Sequence, residues 1–163
     1  MDFKNKVVLI TGASSGIGKE TAIQFARKGS NLILVARRKQ KLEQIADDLK
    51  KFNMSTLICE CDISDKFQVE KMSKLVFEKY GSVDILINNA GFAIYGSISD
   101  LTIEEIESQM ATNYFGMIYC IKNFLPSMLE KKLGHIVNVA SVAASFGLPG
   151  ITSYCASKFA MLG

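Results

Sequence analysis

Short apolar runs alternate with amphipathic stretches along the chain. Val7–Ile10, Leu32–Val35 and Ile85–Ile87 are apolar at successive positions, and Thr56–Cys61 and Ile136–Ala140 are largely so, broken by Glu60 and Asn138, which suits strands covered on both faces. The stretches between them repeat at helical spacing. Gly16–Lys28 carries Ile17, Ala22, Phe25 and Ala26 on one side and stops at Gly29. Gln40–Lys51 places Leu42, Ile45 and Leu49 together, and Lys66–Tyr80 is opened by Ser64 or Asp65 and closed by Gly81. Two helical stretches follow near Ile103–Ala111 and Asn113–Lys131, and a last helix begins near Ser153. This alternation predicts an α/β fold, a doubly wound parallel sheet of Rossmann type with right-handed crossovers, in a single domain over residues 1–163.

The unusual residues fall just after the strands. Thr11-Gly12 follows the first, Arg37-Arg38 the second, Asp62 the third, Asn88–Gly91 the fourth and Ser141 the fifth. All five positions therefore lie on the carboxyl edge of the sheet, where open α/β folds bind ligands.

The first of these turns reads Gly12-Ala13-Ser14-Ser15-Gly16-Ile17-Gly18. Glycines there allow a tight turn and a close approach of backbone to a pyrophosphate, and the following helix offers free N–H groups to phosphate oxygens. The spacing is G-x3-G-x-G rather than G-x-G-x-x-G, and it is the place of the turn, after a strand and opening a helix, that points to a dinucleotide. A Walker P-loop is excluded, because Lys19 is followed by Glu20 and its lead glycine position holds Ala13. An NAD site of this type places an acid at the end of the second strand; here Ala36 stands there, followed by Arg37 and Arg38. Two guanidiniums suit a 2′-phosphate, so NADP(H) is the expected cofactor.

Composition narrows the class. The 163 residues are 48% hydrophobic and 21% charged, which argues against disorder and coiled coil. A net charge of +3 from 19 basic and 16 acidic residues does not call for nucleic acid. Met-Asp-Phe-Lys-Asn-Lys has no apolar signal region, so a cytoplasmic protein with four free thiols (Cys59, Cys61, Cys120, Cys155) is expected. Cys59 and Cys61 lie two apart on a strand and share a face, but no second Cys/His pair completes a zinc site. Leu133–Ser157 holds no Asp, Glu, Lys or Arg; its four serines, three glycines and Pro149 argue for a buried strand running into a site loop rather than a membrane span. His135, the only histidine, opens a strand and reads as structural.

Tyr154 and Lys158 are four apart and share a helix face. A tyrosine with an ordinary pKa near 10 is a poor base at neutral pH, and an adjacent ammonium favours its phenolate. Tyr154 can then give a proton to a ketone or take one from an alcohol. Ser141 lies beyond the fifth strand, where its hydroxyl can bond the substrate carbonyl.

Taken in order, Thr-Gly-Ala-Ser-Ser-Gly-Ile-Gly, Asn88-Asn89-Ala90-Gly91, Ser141 and Tyr154-x3-Lys158 resemble the short-chain dehydrogenase/reductase family over the whole chain. The resemblance implies a carbonyl–alcohol oxidoreductase. It implies that Asp62-Ile63 contacts adenine, that Asn89-Ala90-Gly91 lines the cofactor, and that Lys158 also binds the nicotinamide ribose. It further implies that Asn113 holds a water in the proton relay. An arginine just past the missing acid is similar to the family's NADP-preferring members. Ser14, Ser15 and Ile17 join the glycines, and Tyr154 and Lys158 count as cofactor neighbours as well as catalytic candidates. Phe92, Ile94, Tyr95, Phe146 and Leu148 are expected to line an apolar approach, pointing to a hydrophobic carbonyl compound.

The chain departs from that family at its end. Family members continue through two more strands and a substrate loop, whereas here Gly163 follows Lys158 by five residues. The expectation is a truncated sheet of order 3-2-1-4-5 with one edge exposed, Ala160, Met161 and Leu162 short of packing partners, and a homodimer or homotetramer only at full length. A cofactor-holding fragment or NADP(H) sensor without turnover is the alternative. A methyltransferase on a similar sheet leaves Tyr154 and Lys158 without a role and meets Arg37-Arg38 where an acid is needed.

Overall fold

In the computed structural model, which describes residues 2–52 and 54–163, five parallel strands form one sheet. They are β1 (Val7–Thr11), β2 (Asn31–Ala36), β3 (Thr56–Glu60), β4 (Ile85–Asn88) and β5 (His135–Asn138). Their order is β3-β2-β1-β4-β5, so the chain reverses direction across the sheet between β1 and β4. Crossover helices α1 (Gly16–Arg27), α2 (Lys39–Leu49), α3 (Lys66–Tyr80) and α5 (Gly116–Lys131) cover its two faces. This is the doubly wound parallel sheet that the apolar runs predict.

Strand parity builds two cores. Leu9, Ile33, Val35 and Leu86 face Val69, Met72, Val76, Cys120 and Phe124 of α3 and α5. Val8, Ile10, Leu32 and Leu34 face Ala22 and Ala26 of α1 and Leu42 and Ile45 of α2. Side chains alternate between sheet faces, so one unbroken apolar strand supplies both layers. Cys59 and Cys61 fall in the same core, as their spacing required. Burial pushes their thiols up, to about 11 and about 12, and Cys120 to about 12.

Helix ends follow local chemistry. Asp65, not Ser64, caps α3 by accepting from the Phe67 and Gln68 N–H groups, and Gly81 closes it at φ +72°. Helix α4 (Ile103–Met110) opens on a capping box formed by Thr102 and Glu105. The two helical stretches read near 103–131 are not separate: a π-turn over Ala111–Phe115 joins α4 directly to α5. The chain ends in α6 (Thr152–Leu162).

Three packing expectations change. Ile17 does not join the buried side of α1 but is 67% exposed, because the first turn of that helix forms the rim of a cleft. Met161 is buried, lying three residues past Lys158 on the same face of α6, while Leu162 stays exposed. Strand β5 is an apolar run that is not covered on both faces: Val137 is exposed, as expected only for its edge. The charge-free stretch resolves into β5, a short 3₁₀ turn (Val142–Ala144), a loop and the start of α6. Among the described residues no helix is long and apolar enough to cross a membrane.

Candidate active site

Thr11, the last residue of β1, is fully buried and ties two turns together. Its Oγ1 accepts from the Asn89 and Ala90 N–H groups, each at 3.0 Å. Asn89 Nδ2 in return donates to the Thr11 carbonyl at 3.0 Å. The turn after β4 is thus fastened to the glycine turn after β1. That fastening leaves no room for side chains between them. A Cβ on Gly12 would sit 2.8 Å from Ala90 Cα, and one on Gly18 would lie 2.6 Å from Asn89 Nδ2. Gly12 and Gly16 also hold φ of +66° and +53°, a region that favours glycine. Thr11 stands directly before Gly12 in the sequence, but its fastening of the two turns spans more than seventy positions and shows only in the structure.

An open cleft of about 660 Å³ runs along this carboxyl edge. All the sequence-predicted site residues line it except Gly18, Asn113 and Ser141. The N-terminus of α1 enters it with no acidic residue in the first turn, and Ser15, its cap position, makes no side-chain cap bond. The positive end of the helix is therefore uncompensated by the protein.

The two arginines diverge. Arg38 folds back over the glycine turn, its Nη2 donating to Ser14 Oγ and to Ser15 Oγ, each at 2.8 Å. Arg37 Nη1 instead lies 3.8 Å from Asp62 Oδ2. Asp62 keeps its other oxygen on Ser64, accepting from the backbone N–H at 3.0 Å and from the hydroxyl at 2.7 Å. The side chain of Ile63, the next residue, meets Gly116 at the head of α5, where a Cβ would sit 2.7 Å from Ile63 Cδ1.

At the far end of the cleft, Lys158 is 4% exposed. Its Nζ donates to the Val139 carbonyl at 3.0 Å and touches Met161 Sδ at 3.3 Å. It pairs with no carboxylate among the described residues, and desolvation holds its pKa below the ordinary lysine value. The ammonium stands 5.8 Å from the centre of the Tyr154 ring.

Ser141 and Asn113 sit just behind this end. Ser141 Oγ accepts from the Ala143 N–H at 3.1 Å, which caps the 3₁₀ turn and leaves the hydroxyl proton to be donated. Asn113 is fully buried within the π-turn. Its Oδ1 accepts from the Phe92 N–H at 2.9 Å, and its Nδ2 donates to the Phe92 carbonyl and to Ser157 Oγ, each at 2.9 Å. Both amide protons are therefore spent on the protein. A Cβ on Gly91 would lie 3.0 Å from Asn113 Oδ1 and 3.4 Å from Lys158 Nζ, so a glycine is needed for these groups to gather. The structure thus brings Tyr154, Lys158 and the glycine turn into one cleft, with Asn113 supporting from behind and Ser141 at its margin. Of the expected apolar approach, Phe92 lines the cleft and Tyr95 and Phe146 are exposed.

The model of the short chain dehydrogenase family matches residues 6–163. The chain belongs to this family. An uncharacterized oxidoreductase of Listeria monocytogenes is 40% identical over 161 residues, covering 99% of this chain and 65% of that protein. Among solved structures of the fold, an alcohol dehydrogenase from Thermococcus sibiricus complexed with 5-hydroxy-NADP is 33% identical with a TM-score of 0.92, covering 95% of this chain and 66% of that one. A short-chain dehydrogenase/reductase from Burkholderia phymatum in complex with NAD is 31% identical with a TM-score of 0.95, covering 99% and 58%. Solved structures of this architecture therefore include complexes with NAD and with 5-hydroxy-NADP. The chain spans between 48% and 65% of the curated relatives it matches.

Proposed function

We propose that residues 1–163 form one dinucleotide-binding domain that takes NADP(H) in preference to NAD(H). We propose further that the protein interconverts an apolar carbonyl compound and its alcohol. The observation that carries this reading is that Tyr154 and Lys158 line the same cleft as the glycine turn. The fit to the cofactor rests on the chain's own geometry. The Gly12–Gly18 turn has no side chain in the way, α1 presents an uncompensated positive end, and Asn89–Gly91 forms the opposite wall. The Asp62-Ile63 pair borders the adenine end. Arg38, laid over Ser14 and Ser15 by its Nε and Nη2, keeps its charge and its Nη1 donors for a 2′-phosphate, and Ala36 presents no acid to repel it.

When bound, the reduced cofactor supplies the hydride that adds to the carbonyl carbon. Tyr154 gives the proton to the carbonyl oxygen, and takes one back in the direction of alcohol oxidation. Ser141 hydrogen-bonds that oxygen through its free hydroxyl and keeps its own proton. Lys158 places an ammonium beside the Tyr154 ring and would hold the ribose, and Asn113 holds the backbone that carries Phe92. A cytoplasmic setting and a homo-oligomer complete the reading.

Titration of the chain with NADPH and NADH tests the cofactor claim. NADPH should bind at least about tenfold more tightly, the weight of one charge-assisted contact. Equal affinities would refute it. Tyr154→Phe should abolish carbonyl reduction while leaving NADPH binding intact. The second reading is a binding module that holds NADPH without turnover. Tight NADPH binding with no reduction across a panel of carbonyls would favour it.

A further inference from the structure

Gln109 and Asn113, on α4 and the π-turn, are both fully buried amides four residues apart. Facing them on α6 are Ser153 and Ser157, also buried and also four apart. Gln109 Nε2 donates to Ser153 Oγ at 3.0 Å, and Asn113 Nδ2 donates to Ser157 Oγ at 2.9 Å. Two equal spacings meeting as two rungs fix both the height and the rotation of α6. A slide of one residue would turn each serine about 100° away and break both bonds together. The residue after each rung serine is a candidate catalytic side chain: Tyr154 follows Ser153, and Lys158 follows Ser157.

The same amides also grip a second element. Gln109 Oε1 accepts from the Ile94 N–H at 3.0 Å, two residues past the Phe92 backbone that Asn113 holds at both its N–H and its carbonyl. At the next alternate position the Gly96 N–H donates to the Gly150 carbonyl at 2.9 Å, in the loop that leads into α6. The Phe92–Gly96 loop and α6 are thus referenced to one pair of side chains. A fully satisfied buried polar network specifies one arrangement where apolar contacts would tolerate several.

We propose that Gln109 is a positioning residue: through Ser153 and the Ile94 backbone it sets the register of α6 against the Phe92–Gly96 loop, and with it the placement of Tyr154 and Lys158. This rests on the roles of Tyr154 and Lys158 given above.

Ser153→Ala removes the rung while sparing the loop bond, and Ser153→Thr keeps a hydroxyl. The chain carrying ¹³C-labelled lysine reports the titration of Lys158 directly. In Ser153→Ala the Lys158 midpoint should shift upward, toward the ordinary lysine value, as water reaches a loosened seat. Its kcat should fall about ten- to a hundredfold, the scale of a displacement near 1 Å, with NADPH affinity and KM nearly unchanged. Ser153→Thr should restore both. Ser127→Ala, which removes a hydroxyl bonded only within α5, should move neither. A Ser153→Ala chain that leaves midpoint and kcat at wild-type values overturns the proposal. So does a change that Ser153→Thr fails to reverse. If the wild-type chain binds NADPH but reduces no carbonyl, the proposed reaction fails, and the Lys158 midpoint still decides the ladder by the same two criteria.

Discussion

Arg37 and Arg38 are neighbours in sequence and part company in space. Arg38 is held by two serine hydroxyls on the glycine turn, whereas Arg37 sits in an exposed pair with Asp62. Exposed pairs contribute little, so Arg37 has no strong hold at any fixed point of the cleft. Arg38→Ala should therefore weaken NADPH binding about ten- to a hundredfold and barely alter NADH binding. Arg37→Ala should change NADPH affinity by less than about threefold. Calorimetric titration of both variants checks this, and a larger loss at Arg37 would reverse the assignment. The absence of an acid after β2 was legible from Ala36 alone. Which guanidinium covers the glycine turn was not, because the choice is made by Ser14 and Ser15, more than twenty positions earlier.

At the scale of the element, the glycine turn holds its three glycines for different reasons. Gly16 is in open space and needs only its positive φ, which costs a substituted residue roughly 1–2 kcal/mol. Gly18 has an ordinary φ but is pressed against the Gly12 carbonyl and Asn89. Gly16→Ala should fold with a small loss of stability. Gly18→Ala should lose more, about 3 kcal/mol or above from overpacking, because its Cβ meets the Gly12 backbone and Asn89 and drives α1 away from β1. Urea unfolding of the two variants compares them, and similar midpoints would count against this packing account. The spacing G-x3-G-x-G announced the turn without separating these duties. The π-turn was likewise invisible: helical periodicity runs through residues 103–131, and nothing local marks one widened turn at Ala111–Phe115.

Across the whole molecule, the titratable groups of the interior oppose one another. Cys59, Cys61 and Cys120 have folded-state pKa values raised from 9.0 to about 11, 12 and 12. Their contribution is fully present below pH 9 and is lost as pH rises toward those raised values, because the unfolded chain ionises its thiols first. Lys158 has the opposite sign. Its pKa is lowered from 10.5 by desolvation, so its burial penalty eases as pH rises through the lowered value. Three thiols against one lysine make the fold weaken between about pH 9 and 11. Thermal melts across this range should fall, and Cys120→Ala should fall less steeply than wild type. Parallel curves for the two would remove the thiols from the account. The burial that raises these pKa values also makes the thiols inert, as their reading as packing residues required.

The sequence by itself determined the strands, their alternation with helices and the edge on which the chemistry gathers. These follow from a two-residue and a 3.6-residue period, both local, and from motifs whose parts lie within a few positions of each other. It determined the family, because the glycine turn, Asn88–Gly91, Ser141 and Tyr154-x3-Lys158 keep a fixed order. Only the tertiary structure decided that Arg38 rather than Arg37 covers the glycine turn, that both amide protons of Asn113 bind protein, and that Gln109 stands beside it in the same role. Each of those outcomes depends on a hydrogen bond between residues more than twenty positions apart. No periodicity carries such a pairing, since it arises only where packing brings two buried polar groups close enough to satisfy each other.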